Sequence, residues 1–267
     1  MQTLMMPASP EAIRLAGRLL QGGDIAAIPT ETVYGIAADA QNGAAVNKIF
    51  AAKGRPQDNP LIAHIGALSM LSGLAAPLSA PLAGQVQALA AAFWPGPLTI
   101  ILPRGPAVAD EVCAGLDTVA VRMPSHPAAR AVIAACGRPL AAPSANRSGS
   151  PSPTTAADVL ADMDGRLPLI LDGGPCEVGV ESTVVTLAGG PPTLLRPGFI
   201  TREQLTTVLG MPVALSPAIL EKLREGEAAR SPGMKYKHYA PKAEVTILRG
   251  DLKAFAAYAA AYGRPGW

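Results

Sequence analysis

The chain carries no Asp, Glu, Lys or Arg between Asp58 and Arg104. A charge-free stretch of that length has to be buried, either in lipid or in protein. Pro60, Pro77, Pro81, Pro95 and Pro97, together with Gln85 and Gln87, cut it into pieces too short to cross a bilayer. It is therefore expected to fold as short buried strands and helices. With 267 residues the chain can enclose a core of that kind. Ala, Leu, Val and Gly supply most of the apolar mass, since 49% of residues are hydrophobic but only 4% are aromatic, a balance that favours a globular α/β protein over a disordered one.

Several functional classes lose support at once. A formal charge of +2 gives no polyanion-binding footprint, so contact with nucleic acid cannot be argued from charge. Cys113, Cys136 and Cys176 are odd in number and widely spaced, which argues against a disulfide framework or a zinc site and suits a reducing cytoplasm. No metal site is expected. Glu11, Arg14 and Arg18 interrupt the N-terminal apolar residues, so Met1 reads as the true start and not as the head of a signal peptide.

Local signals divide the chain into alternating elements. Ser9 and Pro10 predict a helix start that Gly22 and Gly23 end. A strand over 25–28 breaks at Pro29 and delivers Thr30, Glu31 and Thr32 to a loop. Helices are predicted over 44–52, 85–93, 126–136 and 155–163, the last opened by a Thr155 and Asp158 capping box. Strands are predicted over 61–65, 98–102, 118–123, 139–142, 167–171, 182–187 and 193–195. Because alternating elements give way to consecutive strands, the sheet should be mixed. Residues 211–230 read as helical and charge-rich, 231–241 as a linker or lid, and 245–248 and 252–262 as a further strand and helix. This gives a domain over 1–210, a linker over 211–241, and the start of a shortened C-terminal domain over 242–267.

The sequence contains neither G-x-x-x-x-G-K-[ST] nor a G-x-G-x-x-G following a predicted strand, so any nucleotide must be held without a standard glycine loop. Lys53 and Arg55 flank Gly54, where a point charge and a planar fork could share a polyphosphate, although a solvated surface turn has the same composition. His64 falls among apolar neighbours on a strand, as a satisfied structural histidine would. Arg122 ends the run from Thr118 to Val121 and needs a carboxylate, either structural or from a substrate. Ser144 and Asn146 sit in a turn that can bind phosphate or simply cap the backbone. Each motif is bland alone. Together they repeat one pattern, a strand end carrying a small polar residue or an arginine beside Gly or Pro, and that pattern describes a composite cleft.

The wording of these segments is also specific. P-T-E-T-V-Y-G at 29–35, K-G-R-P at 53–56, N-P-L-I-A-H-I at 59–65 and F-W-P-G-P-L-T at 93–99 are followed by V-R-M-P at 121–124 and P-S-A-N-R-S-G at 143–149. E-S-T-V-V at 181–185 and L-R-P-G at 195–198 complete the series. In this order, across roughly residues 8–210, the chain resembles the YrdC/Sua5 family of threonylcarbamoyl-AMP synthases.

The resemblance implies a twisted mixed sheet flanked by helices, with a concave, positively lined cleft. It implies conversion of L-threonine, bicarbonate and ATP, with Mg²⁺, to threonylcarbamoyl-AMP and pyrophosphate. The product would serve a downstream tRNA threonylcarbamoyl transferase, with at most a weak tRNA contact by this chain and none with a membrane. Position by position, Lys53, Arg55, Ser144 and Asn146 match the catalytic, ATP-associated elements. Arg55, Asn59, Thr118, Ser144, Ser152 and Arg196 fall at nucleotide positions, and Thr32, His64, Arg122, Ala142 and Ser182 at threonine positions. Residues 231–241 resemble the linker of the longer Sua5 subtype, with Tyr236 and His238 as lid contacts. Other readings are the carbamoyl-adenylate domain of a hydrogenase-maturation carbamoyltransferase and a non-catalytic RNA- or ribosome-binding module.

Overall fold

The computed structural model describes residues 2–219 and 248–262. Its elements run β1 (Leu4–Pro7), α1 (Pro10–Gln21), β2 (Ala26–Ile28), β3 (Gly35–Asp39), α2 (Gly43–Lys53), β4 (Ile62–His64), α3 (Ala80–Phe93) and β5 (Leu98–Pro103). They continue with α4 (Asp110–Cys113), β6 (Thr118–Arg122), α5 (Pro127–Cys136), β7 (Leu140–Ala141), α6 (Ala156–Met163) and β8 (Leu169–Asp172). The last are β9 (Thr183–Thr186), β10 (Thr193–Arg196), α7 (Arg202–Leu209), β11 (Ala214–Leu215) and α8 (Leu252–Tyr262).

Helix starts follow the capping rules. The Ser9 side chain accepts from Ala12 N at the head of α1, and Thr155 and Asp158 close a reciprocal capping box on α6. Thr201 and Gln204 form a second box on α7, a helix absent from the sequence reading because its polar face masks the period. The reading of 211–230 as helical fails in its described part. Residues 211–219 hold β11 and a 3₁₀ turn, Pro217–Ile219, because Pro212 and Pro217 lack the N–H a continuing helix would use. Residues 220–247, including the expected strand over 245–248 up to its last residue, lie outside the described residues.

Among the described residues the strands form one mixed sheet in the order β1, β8, β2, β3, β7, β4, β6, β5, β9, β10, β11. One face packs Ala27, Ile36, Ala63, Ile100, Val121 and Val185 against the helix residues Val46, Ile49, Val86, Leu89 and Val159. The other face, at the β8 end, packs Ala26, Ile28, Leu140 and Leu171 against α1 and α5. Those two helices approach closely, because a Cβ on Gly17 would lie 2.8 Å from the Ala135 Cβ.

That second face continues along the sheet. Leu140 is in register with His64, and Ile62 with Ala120, and partners in register share a face. There Ile62, Ile101, Ala120, Val184 and Leu195 form a cluster to which no helix contributes. The site lies on this part of the sheet, beyond the helical layer. No described helix is long and apolar enough to cross a membrane.

Candidate functional site

Strand register builds the floor of the site. His64 on β4 pairs with Arg122 on β6, and Arg122 pairs with Thr99 on β5, so the three side chains form a row on one face. Two residues further along the strands lies the apolar row Ile62, Ala120 and Ile101. A cleft of about 600 Å³, mouth included, opens above. It is lined by Thr32, His64, Arg122, Ala142 and Ser182 from one predicted group and by Arg55, Ser144 and Arg196 from the other.

The Thr30–Val33 loop is tied down at several points. Thr30 Oγ1 donates to Val33 O at 2.7 Å and accepts from Thr32 N at 3.2 Å, the short-range hydroxyl turn that a Thr after a strand favours. Tyr34, wholly buried, donates from its hydroxyl to Gly174 O at 2.7 Å. Burial pushes that hydroxyl up to about 12, so it remains a donor at any physiological pH. Val178 N and Gly179 N bond to the carbonyls of Glu31 and Thr32, locking this loop against the glycine-rich segment before β9.

Arg122 is 3% exposed and needs a counter-charge. It finds Glu31, also 3% exposed, with Nη2 to Oε1 at 2.7 Å. Neither of these two atoms gains an aligned hydrogen bond, so the pair is held by charge, which depends on distance more than on angle. Glu31 Oε2 accepts from Ser125 N at 3.1 Å. His64, beside Arg122, is driven down to about 3 by burial and by that guanidinium. It is therefore a neutral imidazole. With Nδ1 turned to Ile62 O at 3.2 Å, the tautomer that donates there leaves Nε2 as an acceptor.

The second group is held by loops. Lys53 ends α2 and is 3% exposed. Its Nζ donates to Ser144 O, to Asn146 O at 2.5 Å and to Asn146 Oδ1 at 3.4 Å. Three oxygens thus meet the three N–H groups of an ammonium, while burial, with Arg55 nearby, pulls its pKa down to about 7. Arg55 Nη2 donates to Asn59 O and Pro60 O, both at 3.2 Å. Asn59 is wholly buried, and neither atom of its amide meets a hydrogen-bond partner. Arg196 reaches Ser182 twice, from Nε to the carbonyl at 3.0 Å and from Nη2 to Oγ at 3.1 Å. Ser182 Oγ is also 2.7 Å from Thr99 Oγ1. Ser152 Oγ donates to Glu181 Oε1 at 2.5 Å.

All five predicted threonine positions therefore line one cleft. Of the nucleotide and catalytic set, Arg55, Ser144 and Arg196 line it, whereas Lys53, Asn59, Asn146 and Ser152 do not. Thr118 shares the face of Arg122 but lies four residues along β6, about 13 Å away at strand rise. Tyr236 and His238 lie outside the described residues. Sequence reasoning missed Glu31 and Thr99 as parts of the site. Glu31 had a signal, an acid directly after a buried run; Thr99 ends the F-W-P-G-P-L-T motif at 93–99, but only the register places it beside Arg122. Among the described residues no group of three His, Cys, Asp or Glu could hold a metal. The cleft offers cations, hydroxyls, a carboxylate and a neutral ring, equipment for positioning and charge neutralisation.

The family model joining the Sua5, YciO and YrdC proteins, described as "Telomere recombination", matches residues 18–198. A second, described as "Threonylcarbamoyl-AMP synthase, C-terminal domain", matches residues 200–264. The chain is 52% identical over 240 residues to the threonylcarbamoyl-AMP synthase of Bacillus subtilis, covering 90% of this chain and 67% of that protein. To that of Pyrococcus abyssi it is 48% identical over 238 residues, covering 89% and 68%. It is similar to the crystal structure of P. abyssi Sua5 complexed with L-threonine, with a TM-score of 0.83 and 46% identity over 91% of this chain and 69% of that one. The chain thus spans about two thirds of the length of these relatives.

Proposed function

We propose, since this chain belongs to the Sua5/YrdC family, that it joins L-threonine, bicarbonate and ATP into threonylcarbamoyl-AMP and releases pyrophosphate. The observation that carries this reading is the shared wall. Arg122, His64, Thr32 and Ser182, at the positions expected for threonine, face the same cleft as Arg55, Ser144 and Arg196, expected for ATP.

Arg122 presents its remaining guanidinium nitrogen, Nη1, to the threonine carboxylate. Thr32 and Ser182 supply hydroxyls, and the Nε2 lone pair of neutral His64 accepts from the amine or side-chain hydroxyl. A His64 with a pKa near 3 cannot repel the ammonium form, and it is too weak a base to hold its proton. The amine gives that proton to solvent before its nitrogen lone pair attacks carbon; on bicarbonate the C–OH bond breaks and its oxygen leaves as water, on carbon dioxide a C=O π bond opens and a second nitrogen proton passes to solvent, and either route gives a carbamate. A carbamate oxygen then attacks the α-phosphorus, and the bond to pyrophosphate breaks.

Arg55 and Arg196 neutralise charge on the phosphates. Lys53 and Asn146 hold the Ser144 turn, and the buried Asn59, whose carbonyl accepts from Arg55, keeps an amide without a hydrogen-bond partner. Mg²⁺ arrives with the triphosphate as part of the substrate. Glu181, the one lining carboxylate among the described residues, and the Ser144 hydroxyl fit an ion that keeps most of its ligands from phosphate and water. This makes the chain a nucleotidyltransferase whose product feeds a tRNA-modifying transferase in the cytoplasm. Residues 1–210 would be its catalytic domain, with a linker over 211–241 and the beginning of a C-terminal domain over 242–267.

Pyrophosphate release from ATP and bicarbonate tests the reading, with L-threonine, L-serine or no amino acid. Threonine-dependent release is expected, with serine weaker because one methyl group is worth about 10- to 200-fold in a fitted pocket. Release that ignores the amino acid overturns it.

A further inference from the structure

We propose that Glu31 is a positioning residue for amino-acid binding, acting entirely through Arg122. This rests on the reading of the cleft as a threonine site.

The geometry specifies how. Arg122 leaves the end of β6 with two of its three nitrogens occupied. Nε donates to Gly96 O at 3.4 Å, and Nη2 faces Glu31 Oε1 at 2.7 Å. The remaining nitrogen, Nη1, is the one left to present to the cleft that Arg122 lines. Without an acid on the Nη2 side the guanidinium could swing about its side-chain torsions, because a 3.4 Å contact to one carbonyl is too weak to hold it. Glu31 is itself immobilised. Ser125 N donates to its other oxygen at 3.1 Å, and its own carbonyl accepts from Val178 N at 2.8 Å. The carboxylate side chain is 4% exposed and does not line the cleft, so it bears on substrate only by aiming Arg122. Burial of both partners to the same degree keeps the pair unscreened by solvent.

Two roles for such an acid predict opposite signs. If Glu31 competed with substrate for Arg122, its removal would free the guanidinium and tighten threonine binding. If it aims Arg122, removal loosens binding. The second follows from the separation of Nη1 from the nitrogen that Glu31 engages.

The test is L-threonine binding by calorimetry on the wild-type protein, Glu31→Gln, Glu31→Asp, Arg122→Met and the Glu31→Gln/Arg122→Met double variant. The KM for ATP is followed in parallel by pyrophosphate release. Glu31→Gln is expected to weaken threonine binding at least about tenfold, a misaimed charged hydrogen bond being worth about that or more. KM for ATP should stay within about twofold, which general loss of structure would not spare. Glu31→Asp, which keeps the charge on a shorter stem, should fall between wild type and Gln. It also covers the case in which Glu31→Gln does not fold. In the Arg122→Met background Glu31→Gln should add nothing. Unchanged or tighter binding in Glu31→Gln, or losses that multiply in the double variant, overturn the inference while leaving the reading of the site intact. A wild-type protein that binds no threonine overturns the reading itself, and this inference with it.

Discussion

Arg122 and Lys53 are buried to the same 3%, yet their charges are treated in opposite ways. Arg122 stands on a strand end with a carboxylate 2.7 Å away. Lys53 stands on a helix end among neutral oxygens, two of them main-chain carbonyls of the 144–146 turn, and has no ion pair among the described residues. The strand-borne cation is paired with an acid that aims it. The helix-borne one works as a clamp on a loop, with a pKa brought down to about 7. The cleft therefore has a floor ordered by strand register and a wall turn that the Lys53 side chain grips in addition to its backbone ties.

The sharpest way to break this contrast is to remove each cation. Arg122→Ala leaves Glu31 buried without a counter-charge and should cost about 3–5 kcal/mol of stability, with threonine-dependent turnover down by about 100-fold or more. Urea unfolding and pyrophosphate release measure both. Exchanging the pair for Gln and Met together should return much of the stability and none of the turnover. If Arg122→Ala unfolds at the wild-type midpoint, the buried pair is not what the geometry says.

Lys53→Met should cost less stability than Arg122→Ala, since it removes a buried ammonium and strands no opposite charge, yet lower kcat by about 100-fold because the Ser144 turn loses its clamp. Arg55→Ala, in contrast, should appear chiefly in KM for ATP. Loss confined to KM in Lys53→Met would mean that the lysine touches phosphate directly.

The pH dependence sharpens the contrast further. Folding lowers the Lys53 pKa from 10.5 to about 7. Between those values the unfolded chain binds the proton and the folded chain does not. This group therefore makes stability rise with pH across that window, by up to about 1.4 kcal/mol per pH unit, and its penalty on the folded state is full below pH 7. Denaturation at pH 7 and pH 9 should show a rise in wild type that is reduced in Lys53→Met. Thr99→Val is the mildest case. Losing the hydroxyl 2.7 Å from Ser182 should cost about 1 kcal/mol, with a small rise in KM for threonine.

How much of this was legible follows from the range over which each cause acts. Ser9 with Pro10, and Thr155 with Asp158, announced helix starts because a cap acts over three residues. The charge-free stretch announced buried elements because desolvation of a charge is costly wherever the chain goes. That Thr32, His64, Arg122, Ala142 and Ser182 belong to one composite cleft was legible in the ordered motifs. The need of Arg122 for a carboxylate was legible too, but not its choice of Glu31, far away in sequence. The charge-rich composition of 211–230 outweighed Pro212 and Pro217 in the reading, and the prolines prevailed in the described residues.

Residue types, caps, turns and the alternation of buried positions follow from the sequence alone, because each depends on neighbours within a few residues. That His64, Arg122 and Thr99 share a row, that Glu31 meets Arg122, and that Lys53 grips the turn instead of lining the cleft came only from the assembled sheet. Register across β4, β6 and β5 depends on pairing strands distant in sequence, and a slip of one residue would turn every one of these side chains to the opposite face.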